Sequence, residues 1–319
     1  LRNGGKVMLD TARLRPQDRA VSFTADEIAS QPALWEQAVE LLPQVRSVLP
    51  AAGADVCIVG CGTSLYMARA AAHLRESRGL GRTDAFAASE TPLGRRYDVL
   101  VAISRSGTTS EVASLLRHRV ADRSVLLTAV PDGPVAAFAD DVVALPFADE
   151  QSVVQTRFAT TALTLLRAHA GDTGDTAVAD ARQALTVPLP VDPATVTQWT
   201  FVGRGWTAGL AEEAALKLRE AAQAWTESYP ALEYRHGPIS VSGPGTVLWS
   251  FGPLDPSIAA EARSVGATVV DLPLDPLAAL VVAQRTAVHL ALARGLDPDT
   301  PRNLSRSVVL SGEALAGLS

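Results

Sequence analysis

Lysine is nearly missing from this chain: of 28 basic residues only Lys6 and Lys217 are lysines, and the rest are arginines. A lysine kept against that bias marks a position where a compact ammonium on a flexible stem does what a guanidinium cannot. Cysteine is limited to Cys57 and Cys61. That excludes a disulfide framework, and with no histidine pair or further cysteine to join them it excludes a zinc site, so no metal is expected. Such thiol usage fits a reducing cytoplasm. No apolar run approaches the length of a membrane span and no signal peptide is visible, so no membrane partner is expected. Positive charge is also short. The formal net charge is −6 and the pI about 5.4, which argues against nucleic acid or anionic lipid as the main partner but leaves room for a small anion in one local pocket.

Aromatics make up 5% of the residues and charged side chains 19%, against 47% apolar. With alanine, valine and leucine dominant, helices are expected to pack closely on parallel strands. At 319 residues, about two domains are expected. Residues 1–26 read as an N-terminal extension, of which 1–7 precede the first methionine, Met8. The spacing predicts a helix from Glu27 to Leu42 that Pro32 interrupts or starts anew. Strands are predicted at Val56–Val59, Asp84–Ala88, Val99–Ile103, Val125–Ala129 and Val142–Leu145. Helices are predicted at Leu65–Arg75, Glu111–Arg119 and from about Ser152 to His169. Gly171 to Pro193, with one modest helical stretch, reads as the passage between domains, giving units at 27–185 and 186–319. The second half starts over with a strand at Trp199–Val202 and a helix at Leu210–Ala222. Strands at Thr246–Ser250 and Thr268–Val270 and a helix at Pro276–Arg294 complete it. Strands alternating with helices imply parallel sheets covered on both faces. Val59-Gly60-Cys61-Gly62-Thr63-Ser64 and Val202-Gly203-Arg204-Gly205-Trp206-Thr207 share one strand–turn–helix device, which suggests a duplicated α/β unit.

Two loops could hold an anion. Gly62, Thr63 and Ser64 end the first strand, and Ser104, Arg105, Ser106 and Thr109 follow the third. Helix N-terminal amides and hydroxyls there could grip a phosphate without a metal, or the hydroxyls could simply cap helices. A dinucleotide site lacks its third glycine and its acidic ribose partner, and no Gly-x-x-x-x-Gly-Lys-Ser/Thr loop exists. Lys217 sits three residues before Glu220, on one helix face. With His236 farther on, an amine, a carboxylate and an imidazole make a proton-handling set; a surface Lys–Glu pair and a loop histidine would show the same spacing. His73, His118 and His169 read as surface residues and His289 as packed. Cys61, with no histidine placed to activate it, is rejected as a nucleophile.

Cys61-Gly62-Thr63-Ser64, Ser104-Arg105-Ser106-Gly107-Thr108-Thr109, Glu213-Ala-Ala-Leu-Lys217-Leu-Arg-Glu220 and His236-Gly237-Pro238 resemble the sugar isomerase (SIS) family, and within it the isomerase half of glucosamine-6-phosphate synthase. Glu27-Ile28-x-x-Gln31-Pro32 and Pro301-Arg302-Asn303-Leu304 extend the likeness over nearly the whole chain. It implies an α/β chain of two tandem SIS domains, each a doubly wound, flavodoxin-like, three-layer αβα unit. It implies that Thr63, Ser64, Ser104, Ser106 and Thr109 hold sugar and phosphate. Arg105 stands at the synthase's glutamine, and Val153 and Gln155 in a sugar-lining segment where Gln155 replaces a serine. Glu220 matches the carboxylate that moves a proton between C1 and C2, Lys217 the lysine beside it, and His236 a ring-opening histidine lent by the other subunit of a homodimer. Arg306 stands where the family has a lysine. A guanidinium forms no imine with a ketose carbonyl, so any mechanism requiring one there is excluded.

The expectation is therefore a cofactor-free, cytoplasmic enzyme acting on a phosphorylated amino sugar. Without a glutaminase half, the full synthase reaction is excluded for this stretch alone. Conversion of glucosamine 6-phosphate to fructose 6-phosphate and ammonia is favoured. Aldose–ketose isomerisation of a hexose phosphate, deglycation of a fructosyl-amino-acid phosphate, and binding without turnover are the alternatives.

Overall fold

The structure, a computed structural model, describes residues 22–310 apart from 173 and 175. Most of the expected N-terminal extension lies outside the described residues. The first half comprises α1 (Phe23–Val45), β1 (Val56–Gly60), α2 (Thr63–Ser77), β2 (Thr83–Ala87), β3 (Tyr97–Ile103), α3 (Ser110–His118), β4 (Ala121–Thr128), β5 (Asp141–Ala144), α4 (Arg157–His169) and α5 (Ala177–Ala184). The second comprises β6 (Gln198–Gly203), α6 (Thr207–Ala222), β7 (Thr226–Pro230), β8 (Thr246–Phe251), α7 (Pro256–Ser264), β9 (Thr268–Asp271) and α8 (Pro276–Ala293).

Two all-parallel sheets result, ordered β2-β1-β3-β4-β5 and β7-β6-β8-β9. In each, the second strand lies outside the first and the third lies on the first's other side. Strand alternation divides the apolar residues between two faces. Val56, Ile58, Val99, Val101 and Val125 join Trp199, Phe201, Val247 and Trp249 of the other sheet in one continuous core. Cys57, Val59, Leu100 and Leu126 face outward under Val112, Leu115 and Leu116 of α3. Val202 and Leu248 do the same under Ile258 and Ala262 of α7. The molecule is thus a stack of α3, sheet, a shared helix layer, sheet and α7. The passage near residue 185 falls between α5 and β6, and both sides feed the same core.

Small side chains make the shared layer dense. A Cβ on Gly209 of α6 would lie 2.5 Å from the Tyr66 carbonyl of α2, so these helices cross nearly backbone to backbone. Alanines such as Ala70, Ala211 and Ala214, all fully buried, line this layer.

Four local readings change. First, α1 runs unbroken through Pro32. Proline cannot donate to the Ile28 carbonyl one turn back, but the Gln31 side-chain amide does so at 3.1 Å and also reaches Gln284 at 2.7 Å. Second, α4 starts at Arg157, not near Ser152. The Glu150 carboxylate accepts from the Thr156 and Arg157 amides and so caps the helix there. Third, β7 and α7, which the spacing did not predict, complete the second sheet and its cover. Fourth, α8 is long and apolar enough to cross a membrane by length and composition, contrary to the expectation; 72% of it is buried inside the fold.

Candidate active site

Neighbouring strands β1 and β3 lead into α2 and α3, which pack on opposite faces of the sheet. Their carboxyl ends therefore form a topological switch point, where such sheets open a crevice. Close chain approach builds the first turn: a Cβ on Gly60 would meet the Ser64 backbone at 2.5 Å, and Gly62 has φ +54°. Among the described residues, neither α2 nor α3 has a side-chain N-cap. Both helix starts border a cleft of about 160 Å³, although some first-turn amides already have acceptors: those of Ser64 and Leu65 bond the Cys61 and Gly62 carbonyls at 3.2 and 3.0 Å, and that of Ser110 the Val308 carbonyl at 3.4 Å. Gly62, Thr63, Ser64, Ser104, Arg105, Ser106, Thr109, Val153, Gln155, Glu220 and Arg306 all line it. Ser104 and Thr109 hydroxyls lie 3.2 Å apart, and Ser106 accepts from the Thr108 hydroxyl at 2.9 Å.

The second half contributes one helix face. Lys217 is buried and donates to Thr63 Oγ1 at 2.9 Å and to Glu220 Oε2 at 2.5 Å, with Glu213 Oε1 at 3.5 Å. The lysine thus lies behind the cleft wall, while Glu220 is in it. Thr63 donates in turn to Glu213 at 3.4 Å, so its hydroxyl is engaged in this network. Burial pushes the Glu213 carboxyl up to about 8, with Lys217 pulling it back and Glu220 adding to the rise. The carboxylates around Lys217 outweigh its burial and hold it above its ordinary value. Glu213 lies in the quoted motif but was given no role there. Its place one helical turn before Lys217 was the signal available.

The opposite wall is held by arginines. Arg105, 2% exposed, donates to the Ser152 carbonyl at 3.0 Å, the Val153 carbonyl at 3.4 Å and the Arg306 carbonyl at 2.8 Å, with Glu150 at 3.5 Å. Burial draws the guanidinium below its ordinary value while Glu150 supports it, and burial raises Glu150 itself. Arg306 reaches back to the Glu150 carbonyl and, at 2.5 Å, to Asp149. Gln155 has a buried Oε1 without a hydrogen-bond partner among the described residues.

His236 is not brought to this cleft. It follows a short 3-10 helix at Ala231–Arg235 and is exposed. Cys61 lines the cleft, but burial and the charge of Glu111 lift its thiol to about 11, so it stays protonated at neutral pH. Two histidine readings reverse: His289 is exposed on α8, and His169 is mostly buried with its ring 2.9 Å from the Pro50 carbonyl. Among the described residues no cluster of three or more His, Cys, Asp and Glu side chains is placed to hold a metal ion.

No family model matches the chain. It is 31% identical to glutamine–fructose-6-phosphate aminotransferase (isomerizing) of Aeropyrum pernix, over 90% of this chain and 57% of that protein. It is 28% identical to the Gloeobacter violaceus protein of the same name, over 80% and 52%. The chain therefore spans about half the length of the curated relatives it matches. Among solved structures, glucosamine-6-phosphate deaminase of Thermotoga maritima superposes with a TM-score of 0.78 at 25% identity, covering 91% of this chain and all of that one. Tagatose-6-phosphate ketose/aldose isomerase of Escherichia coli gives 0.77 at 19% identity, over 92% and 98%. The fold is that of the SIS phosphosugar isomerases.

Proposed function

We propose that this chain, which has the phosphosugar isomerase fold, is an SIS enzyme that converts glucosamine 6-phosphate to fructose 6-phosphate and ammonia. The observation that carries the reading is the placement of Glu220. A carboxylate fixed by a buried ammonium stands in the same cleft as two hydroxyl-rich turns and two uncapped helix N-termini. Ser64, Ser104, Ser106 and Thr109 with the helix amides would take the phosphate. Val153, Gln155 and the residues near Arg306 would face the sugar. The choice of deamination follows the likeness to the Thermotoga maritima deaminase.

The chemistry runs in three steps. The sugar ring opens as the C1–ring-oxygen bond breaks, the ring oxygen gaining a proton and the C1 hydroxyl losing one; we assign this proton transfer to His236 of a second copy of the chain, since this copy's own His236 lies away from the cleft. Glu220 then takes the C2 proton and returns a proton to C1, while the C1 oxygen gains a proton and the nitrogen loses one, turning the 2-amino aldose through an enolamine into the C2 imine of the ketose. Water adds to the imine and ammonia leaves, giving the ketose phosphate. Lys217 serves by fixing Glu220 in place through their 2.5 Å ion pair. We read the two sheets, with their matching strand orders, as two SIS units divided near residue 185, and the compartment as the cytoplasm.

Ammonia release and ketose formation, measured together over a panel of sugar phosphates, test this. Both products from glucosamine 6-phosphate are expected. Ketose without ammonia would replace the reading with aldose–ketose isomerisation. Amino-acid release from a fructosyl-amino-acid phosphate would replace it with deglycation, and binding without product with a sensor.

A further inference from the structure

We infer that Arg105 is a positioning residue that fastens the segment 304–308 across the mouth of the cleft. The two hydrogen bonds that decide this run to backbone. One Arg105 nitrogen binds the Arg306 carbonyl at 2.8 Å and the other the Ser152 carbonyl at 3.0 Å. Its fork therefore joins the C-terminal strap to the loop before α4, while its own backbone belongs to the turn after β3. Arg306 laces the same segments in the other direction, from the strap to Asp149 and the Glu150 carbonyl. Further along, Ser307 meets Thr108 hydroxyl to hydroxyl at 2.6 Å, the Val308 carbonyl accepts from the Ser110 amide at 3.4 Å, and the Leu310 amide donates to Ser110 Oγ at 2.9 Å.

Apolar burial does not hold this strap down. Leu304, Val308 and Val309 are 47%, 53% and 71% exposed. Polar bonds anchor it, and among the described residues the buried guanidinium is the one charged donor that reaches its backbone. With both terminal nitrogens committed to protein carbonyls, Arg105 shapes the roof of the site and leaves the phosphate to the hydroxyls and helix amides. This deepens the proposed function, because the roof belongs to the same cleft, but its test requires no turnover.

Limited trypsin digestion of the full chain reads it directly, because the Arg306–Ser307 bond contains the carbonyl that Arg105 holds. In Arg105→Gln, cleavage there, followed by mass spectrometry, is expected at least tenfold faster than in the wild type. Cleavage after Arg167, buried and paired with Asp275, should not change. Affinity for inorganic phosphate by calorimetry should stay within about threefold. Arg105→Lys keeps a cation opposite Glu150 but cannot span both carbonyls, so it should also accelerate the Arg306 cut; it stands in if the glutamine variant does not fold. Unchanged cleavage at Arg306, equal acceleration at Arg167, or a tenfold loss of phosphate affinity with the strap still protected would overturn the assignment. Absence of phosphate binding by the wild type would sink the proposed function instead, leaving the strap to be judged by cleavage alone.

Discussion

Replacing Lys217 by methionine, close to it in volume, removes a buried cation while leaving the packing of α6 nearly intact. Its ammonium holds Glu220 at 2.5 Å and Thr63 at 2.9 Å, with Glu213 at 3.5 Å. Breaking a buried pair by deleting one partner typically costs 3–5 kcal/mol. Two features set the value at the low end. Glu213, raised to about 8, already carries its proton at pH 7 and is not stranded as a second buried charge. Glu220 keeps 19% of its side chain exposed and retains some hydration. We therefore expect a loss of about 3 kcal/mol, equivalent to a fall in Tm of roughly 4–5 °C for a cooperative chain of 319 residues. Urea denaturation at pH 7, followed by the fluorescence of the five tryptophans, would measure it. Lys217→Arg should also destabilise, by about 1–3 kcal/mol, because the guanidinium overfills a site with 1% exposure. A change below about 0.5 kcal/mol in the methionine variant would show that Lys217 is not the electrostatic hub described, and that its survival in an arginine-rich chain has another cause.

Two further outcomes follow from packing and charge. Gly209→Ala should cost about 1–3 kcal/mol because its Cβ meets the Tyr66 carbonyl, whereas Gly94→Ala, with nothing within 4 Å, should stay within about 0.5 kcal/mol; equal effects in thermal denaturation would contradict the close α2–α6 crossing. Glu213 has a folded-state value raised from 4.5 to about 8, so its contribution is fully favourable below the ordinary carboxyl range and is lost as pH rises through about 8. Glu213→Gln should therefore remove a downward slope in Tm across that window, and parallel wild-type and variant profiles would refute the raised value.

Much of the fold was readable because parallel strands buried on both faces leave unbroken apolar runs. Val56–Val59 and Val99–Ile103 could be placed within a few residues for that reason. β7 was missed because Thr226–Pro230 is an edge strand with mostly half-buried residues and no apolar run. The span of α1 was misread because one side chain, Gln31, compensates for Pro32 through a contact that only the fold supplies. The cleft loops were marked by glycine spacing and hydroxyls, and Lys217 with Glu220 by helical register. The bonds Arg105 makes to backbone carbonyls were not readable, because carbonyls 47 and 201 residues away leave no residue-type signal. His236 was visible as a residue type, but the fold leaves it exposed after a short 3-10 helix and away from the cleft.

The central claim is that Glu220 moves the proton between C1 and C2 in a site whose phosphate grip is independent of it. Turnover of the Glu220→Gln variant, on the sugar phosphate that the wild type converts, tests this most directly. The prediction is a rate at least 10³-fold lower, within the 10²–10⁴-fold range of general acid–base catalysis, with inorganic phosphate affinity unchanged within a few-fold. Turnover near the wild-type rate would contradict it.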